Sequence, residues 1–283
     1  MKNKKQTKII GSVILIGVII VLGILYFFRV SLKGYWDLRQ RKIELPQEIS
    51  IKDITKNELP SPVLNNTKPP IEPVSNNNTQ VVVPPPIPET KTGELPVEIN
   101  LAVPFVSQAP FRVWDAIHEE TCEEASVLMI NGFYKSEKYT KQQIEDELLK
   151  MNAWELENFG YFADTNAEET AQMMKGVYGL DAVAVYDITI EDIKKELAAG
   201  HPVIVPAAGK ILPNPYFSNG GPIYHMLVLK GYTKDGKFIS NDPGTNTLGE
   251  NFTYTFGALY NAIHDWVKDG DILTGRKAMI VVK

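Results

Sequence analysis

"TCEEASVLMINGFY", residues 121–134, holds the only cysteine of the 283-residue chain and decides how the rest is read. Ala125, Leu128 and Met129 recur at helical spacing and Phe133 continues the stripe, so the stretch predicts an amphipathic helix. Thr121 followed by Glu124 has the spacing of a capping box, which would start the helix there and set Cys122 at its first position. The unpaired N–H groups and the positive end of the helix dipole favour a thiolate at that position. Glu123 and Glu124 oppose it, because neighbouring negative charge raises a thiol's pKa. A reactive cysteine here therefore needs a cationic partner. The blander readings are a buried small hydrophobe or a bridge to another chain.

Histidine is the usual partner, since an imidazolium stabilises a thiolate and then protonates a leaving amine. Four are present. His118 lies in a polar loop and reads as a solvated side chain; His201, between Gly200 and Pro202, reads as a turn residue. His264 reads as a surface or half-buried helix position. His225 differs: it opens the apolar run "HMLVLKGY" directly after the Gly/Pro-rich loop 209–222, which puts its ring at a sheet edge beside open space. Asp242, seventeen residues on in "SNDPG", could orient that ring, although "NDPG" is also ordinary turn chemistry. A tight turn at Asp235-Gly236 would pair Asp242 with Leu229; a looser turn and a β-bulge would bring it nearer His225. Gln108 in "VPFVSQAP" could lend its amide to an oxyanion hole together with the Cys122 N–H.

Outward from these residues, "TKQQIEDELLKMNAW", "NAEETAQMMKGVYG" and "TIEDIKKELAAG" predict three more helices, and "FGALYNAIHDWV" a late one. "INLAVPFVSQ", "DAVAVYD", "HPVIVPA", "KAMIVVK" and the hairpin "HMLVLKGYTKDGKFISNDP" predict strands. Helices cluster early and strands late, the pattern of an α+β domain over 97–283, about 187 residues and enough for one core.

The N-terminal part is of another kind. Residues 9–28 carry no charge and are long enough for a transmembrane helix, preceded by Lys2, Lys4, Lys5 and Lys8. The expected arrangement is a cytoplasmic tail (1–8), a single-pass signal anchor (9–28), a juxtamembrane segment (29–58) and an extracytoplasmic domain. Between them, 59–96 holds ten of the nineteen prolines and reads as a semi-stiff stalk. The first 34 residues hold six basic and no acidic side chains, so the net −5 of the chain leaves −11 on the remainder. Such an acidic portion argues against nucleic acid as a partner. One cysteine and four scattered histidines show no metal-ligand spacing, and no glycine-rich phosphate loop is present, so neither metal nor cofactor is expected.

"VPFVSQ", "TCEEASVLM", "GHPVIVP", "YHMLVLKGY" and "NDP", in that order, resemble the C39-like family of papain-fold cysteine peptidases. The resemblance covers 97–283. It implies a papain-like fold and a peptide or protein substrate, with Cys122 as nucleophile, His225 as general base and acid, Asp242 as orienting residue and Gln108 as oxyanion donor. Trp114 and Tyr224 are then candidates to line a substrate cleft. Many members carry glycine after the nucleophile where this chain has Glu123, and the fourteen-residue interval from Gln108 to Cys122 is long. Two functions follow: a membrane-anchored thiol hydrolase of peptide or isopeptide bonds, or a non-catalytic peptide-binding or assembly module on the same fold.

Overall fold

A computed structural model describes residues 2–57 and 95–283, apart from the side chains of 2–14, 24–28, 30, 31, 56, 57 and 247. The domain is α+β. Its sheet runs in the order β2-β7-β3-β4-β5-β6, with β1 on β4, and every pairing is antiparallel. The strands are β1 (Ile99–Asn100), β2 (Ala182–Tyr186), β3 (Val203–Ala208), β4 (Tyr224–Tyr232), β5 (Lys237–Asn241), β6 (Phe252–Thr255) and β7 (Ala278–Val282). β4 is the spine: all nine of its residues are buried, and it pairs with β3, β5 and β1. Helix α3 (Cys122–Lys135) packs on β4 and β3, and α4 (Lys141–Asn158) and α5 (Ala167–Tyr178) pack on α3. α6 (Ile190–Ala198) packs on β4 and β3 as well.

Local chemistry explains the helix ends. Thr140 with Gln143, Asn166 with Glu169 and Thr189 with Asp192 each close a capping box, and Gly179 takes the left-handed conformation that stops α5. α3 departs from expectation. Thr121 makes no cap bond; its hydroxyl donates instead to the carbonyl of Gln108 at 3.1 Å. Glu124 is wholly buried and does not turn back to the helix start. Every residue from Cys122 to Phe133 is buried, so α3 is a core helix, held by packing on all sides where capping was expected. The late helix is shorter than expected, α7 (Phe256–Ala262), preceded by β6, a strand the sequence reading omitted. The strand expected in "INLAVPFVSQ" is reduced to β1, two residues long.

Residues Lys2–Glu44 form one helix, α1, which stops just before Pro46. Among the described residues no helix is long and apolar enough to cross a membrane. The run expected as a span, 9–28, lies in part on side chains outside that description. Most of the expected stalk, 59–94, lies outside it altogether. The segment before the stalk packs on the domain: Ile49 bridges Leu101 in parallel, Asn100 donates to the carbonyl of Pro46 at 2.8 Å, and Lys230 pairs with Glu48. A short helix, α2 (Ile51–Asn57), follows, and its Ile54 sits against Gly200.

Candidate active site

Three chain segments converge at one end of β4. Pro206, opposite Met226 on β3, turns its carbonyl outward to accept the His264 N–H at 3.2 Å. In an antiparallel ladder a residue's N–H and C=O point to the same side, so the proline's missing N–H lies away from β4 and breaks no β3–β4 bond. By the same alternation the Met226 N–H points toward β5. β5 ends at Asn241, opposite Val228, so that N–H has no strand partner. It donates instead to Cys122 Sγ at 3.3 Å. The start of α3 is thereby pinned beside the open end of the sheet, with His225 as the residue before the donor.

A bulge sets the second element. β4 and β5 pair Tyr232 with Phe238 and Gly231 with Ile239, but then Leu229 with Ser240, which leaves Lys230 as an extra residue. Without the bulge Asp242 would fall opposite Val228 and face the other side of the sheet from His225. With it, Asp242 falls opposite Leu227, on the His225 face. It is thus a diagonal neighbour of His225, and the side chains close the remaining gap: His225 Nε2 lies 2.9 Å from Asp242 Oδ1. Gly231 belongs to the same device, because a Cβ there would collide with the Ile99 carbonyl of β1. The turn over Thr233–Gly236 sets the pairing one residue from that of the tight turn at Asp235-Gly236, and the bulge moves it one more toward that of the looser loop.

Asp242 is saturated. Oδ1 also accepts the Gly244 N–H at 3.1 Å, and Oδ2 accepts Tyr254 Oη at 2.8 Å and Asn214 Nδ2 at 3.0 Å. Burial raises its pKa, but the His225 partner, the Tyr254 hydroxyl and the Gly244 N–H outweigh it and hold the carboxyl below its ordinary value. Asn214 and Tyr254 escaped the sequence reading. Neither has a motif, and only the fold brings the 209–222 loop and β6 to this carboxylate.

The thiol is turned to a different partner from the one expected. Cys122 Sγ donates to Glu123 Oε2 at 3.0 Å, and the described residues contain no Cys122–His225 hydrogen bond. Burial first, then the charge and hydrogen bond of Glu123, push the thiol well above its ordinary pKa; the Met226 N–H works the other way. Behind the thiol stands a group the sequence reading treated as local charge only. Glu123, Glu124 and Glu155 of α4 are 1 %, 0 % and 0 % exposed. Among the described residues, Glu123 Oε1 and both oxygens of Glu124 and Glu155 find no donor. Burial raises all three, Glu155 to about 8, and the charge of neighbouring carboxylates adds to it at Glu123 and Glu124. Glu124 and Glu155 face one another, an arrangement that needs a shared proton. No group of three or more His, Cys, Asp or Glu among the described residues is placed to hold a metal ion.

Gln108 lies close to the site through its backbone, whose N–H donates to the Pro243 carbonyl at 3.3 Å. Its side-chain Nε2 is committed to the carbonyls of His118 at 2.8 Å and Glu119 at 3.2 Å, and so ties down the loop before α3. Tyr224 is buried, its hydroxyl on the Thr165 carbonyl at 2.9 Å and its ring 5.2 Å from that of Trp266. Trp114 is exposed on the preceding loop, with no contact to Cys122, His225 or Asp242 among the described residues. His118, expected in solvent, is buried between Asp115 at 2.7 Å and Glu145 at 3.0 Å. Its burial works to lower the imidazole pKa, but the two carboxylates raise it overall. His201 pairs with Glu196 at 2.9 Å and His264 Nδ1 meets the Gly275 carbonyl at 2.8 Å, both away from Cys122.

Similar solved structures include two from bacteria. A proposed C39-like peptidase from Bacillus anthracis shares 21% identity over 66% of this chain and 98% of its own, with a TM-score of 0.42. A fragment of prointerpain A from Prevotella intermedia shares 16% over 51% of this chain and 44% of its own, with a TM-score of 0.32. No curated protein matches. Residues 100–271, which hold the helix-start cysteine, the bulged hairpin and the His225–Asp242 pair, match the Peptidase_C39 like family, and the chain belongs to that family.

Proposed function

We propose that the domain is a cysteine peptidase hydrolysing peptide or isopeptide bonds. The observation that carries the reading is the His225–Asp242 pair, buried and on one face, next to a helix-start cysteine whose sulfur accepts the N–H of Met226, the residue after His225. Asp242 binds His225 through Nε2, which leaves Nδ1 to serve the thiol. In the reaction Cys122 passes its proton to His225 and attacks the carbonyl carbon. The oxyanion is held by the Cys122 N–H at the start of α3, and His225 then protonates the departing nitrogen. Water, deprotonated by the same imidazole, releases the acyl group. Gln108 would join the oxyanion hole only by giving up the His118 and Glu119 carbonyls. We place the domain outside the cell, on an anchor formed by 9–28, from the uncharged run and the lysines that precede it.

The thiol–Glu123 bond favours a second reading, a peptide-binding module without chemistry, because it holds sulfur in its unreactive protonated form. A mixed peptide library incubated with the full-length chain and with its Cys122→Ser variant separates the two. New termini seen by mass spectrometry with the parent alone support the peptidase. Binding that survives in Cys122→Ser, with no cleavage by either protein, overturns it in favour of the module.

A further inference from the structure

The two groups of the proposed reaction are closed to solvent. Cys122 is 5 % exposed and His225 2 %. The cover over His225 is Phe217, whose ring stands perpendicular to the imidazole with centroids 5.3 Å apart. Phe217 belongs to the 209–222 loop, and three residues of that loop close together make three different attachments. Asn214 donates to Asp242, Phe217 covers His225, and between them Tyr216 reaches away from the site to α1.

The α1 attachment is a built contact. Tyr216 Oη donates to Asp37 Oδ2 at 2.7 Å. One turn further, Arg41 donates to the carbonyls of Leu248 at 2.8 Å and Glu250 at 3.2 Å. The Arg41 guanidinium also lies 4.9 Å from the Phe252 ring centroid and 5.7 Å from that of Tyr216. Gly34 sits so close to Leu248 that a Cβ there would meet Leu248 Cδ2 at 3.0 Å. Lys42 adds an exposed pair with Glu250 at 3.1 Å. Residues 243–249, which α1 touches through Leu248, follow directly on Asp242.

We propose that the C-terminal part of α1 is a latch that holds the 209–222 loop shut over His225, so that the site opens when α1 is displaced. Asp37 and Arg41 are its fastening residues, Tyr216 the catch and Phe217 the cover. The proposal deepens the peptidase reading, since it names how access to that same site is governed. The latch lies in the stretch between the uncharged run and the domain, where a change in the attitude of the helix bears directly on the loop.

The test uses the full-length chain in detergent and needs no substrate. Deuterium exchange at the C2 position of His225 and the rate of Cys122 alkylation by iodoacetamide are compared in the parent, Asp37→Ala/Arg41→Ala and Tyr216→Phe. The last variant removes only the hydroxyl that Asp37 accepts. Exchange at His225 should quicken about fivefold or more in both variants, the change in open population that loss of one or two such contacts gives. Combining Tyr216→Phe with Asp37→Ala should add nothing to either alone, because each deletes the same Tyr216–Asp37 bond. Unchanged exchange at His225 in both variants overturns the latch, whatever the thiol does. Cleavage assays report on the peptidase and His225 exchange on the latch, so either can fail without the other.

Discussion

At the scale of single residues the unexpected partner is Glu123. Its carboxylate, and not the imidazole, holds the thiol proton, and its charge adds to burial in keeping sulfur neutral. Glu123→Gln removes that charge while keeping the shape. The Cys122 pKa should fall, and iodoacetamide labelling at pH 7 should rise roughly tenfold. A labelling rate equal to the parent's across pH 6 to 10 would mean that burial alone sets the thiol. The glutamate also marks where the sequence could be read and where it could not. The helix start at Cys122 and the opposition of the two acidic neighbours were legible from "TCEEAS". That Glu123 would bond the sulfur and Glu124 would bury itself against Glu155 was not, because the facing residue lies on another helix.

At the scale of elements, the α3–α4 contact and the bulged hairpin carry separate consequences. Glu155 is raised to about 8, so the folded domain keeps a proton there that the unfolded chain gives up near 4.5. The stability this contributes is whole below about pH 4.5 and is lost as pH rises through 8. Glu123 and Glu124 act in the same direction, and Asp242, held below 3.8, in the opposite one at the acid end. Urea melts should therefore show stability falling from pH 5 to pH 8.5. Glu155→Gln should flatten that slope and stabilise the domain at pH 8.5 by on the order of 1 to 3 kcal/mol. In the hairpin, Gly231→Ala drives a methyl into the Ile99 carbonyl and should cost roughly 1 to 3 kcal/mol in the same melts. Elements with local signals were readable: the cap at Thr189, the glycine that stops α5 and the apolar runs of β3, β4 and β7. The bulge was named as a need but not located, since the extra residue, Lys230, is chosen by β1 and Glu48 from far along the chain. β6 was missed for a related reason, its pairing with β5 being the whole of its signal.

At the scale of the molecule, the segment ahead of the proline-rich stretch behaves as part of the domain. Composition separated it, because 29–58 is polar and mixed and the prolines begin after it. Its contacts are made by single residues at long range, Asp37, Arg41, Glu48, Ile49 and Ile54, which no window of sequence reveals. Ile54 lies against Gly200 ahead of 58–94 and Pro96 accepts the Tyr232 hydroxyl after it, so both ends of 58–94 are moored to one body. A protease that cuts there severs the polypeptide without parting the protein. The nicked halves should travel as one species through size-exclusion chromatography and separate only in denaturant; early separation under native conditions would show the moorings too weak to hold. On the anchor proposed for 9–28, clipping this proline-rich stretch would not release the domain.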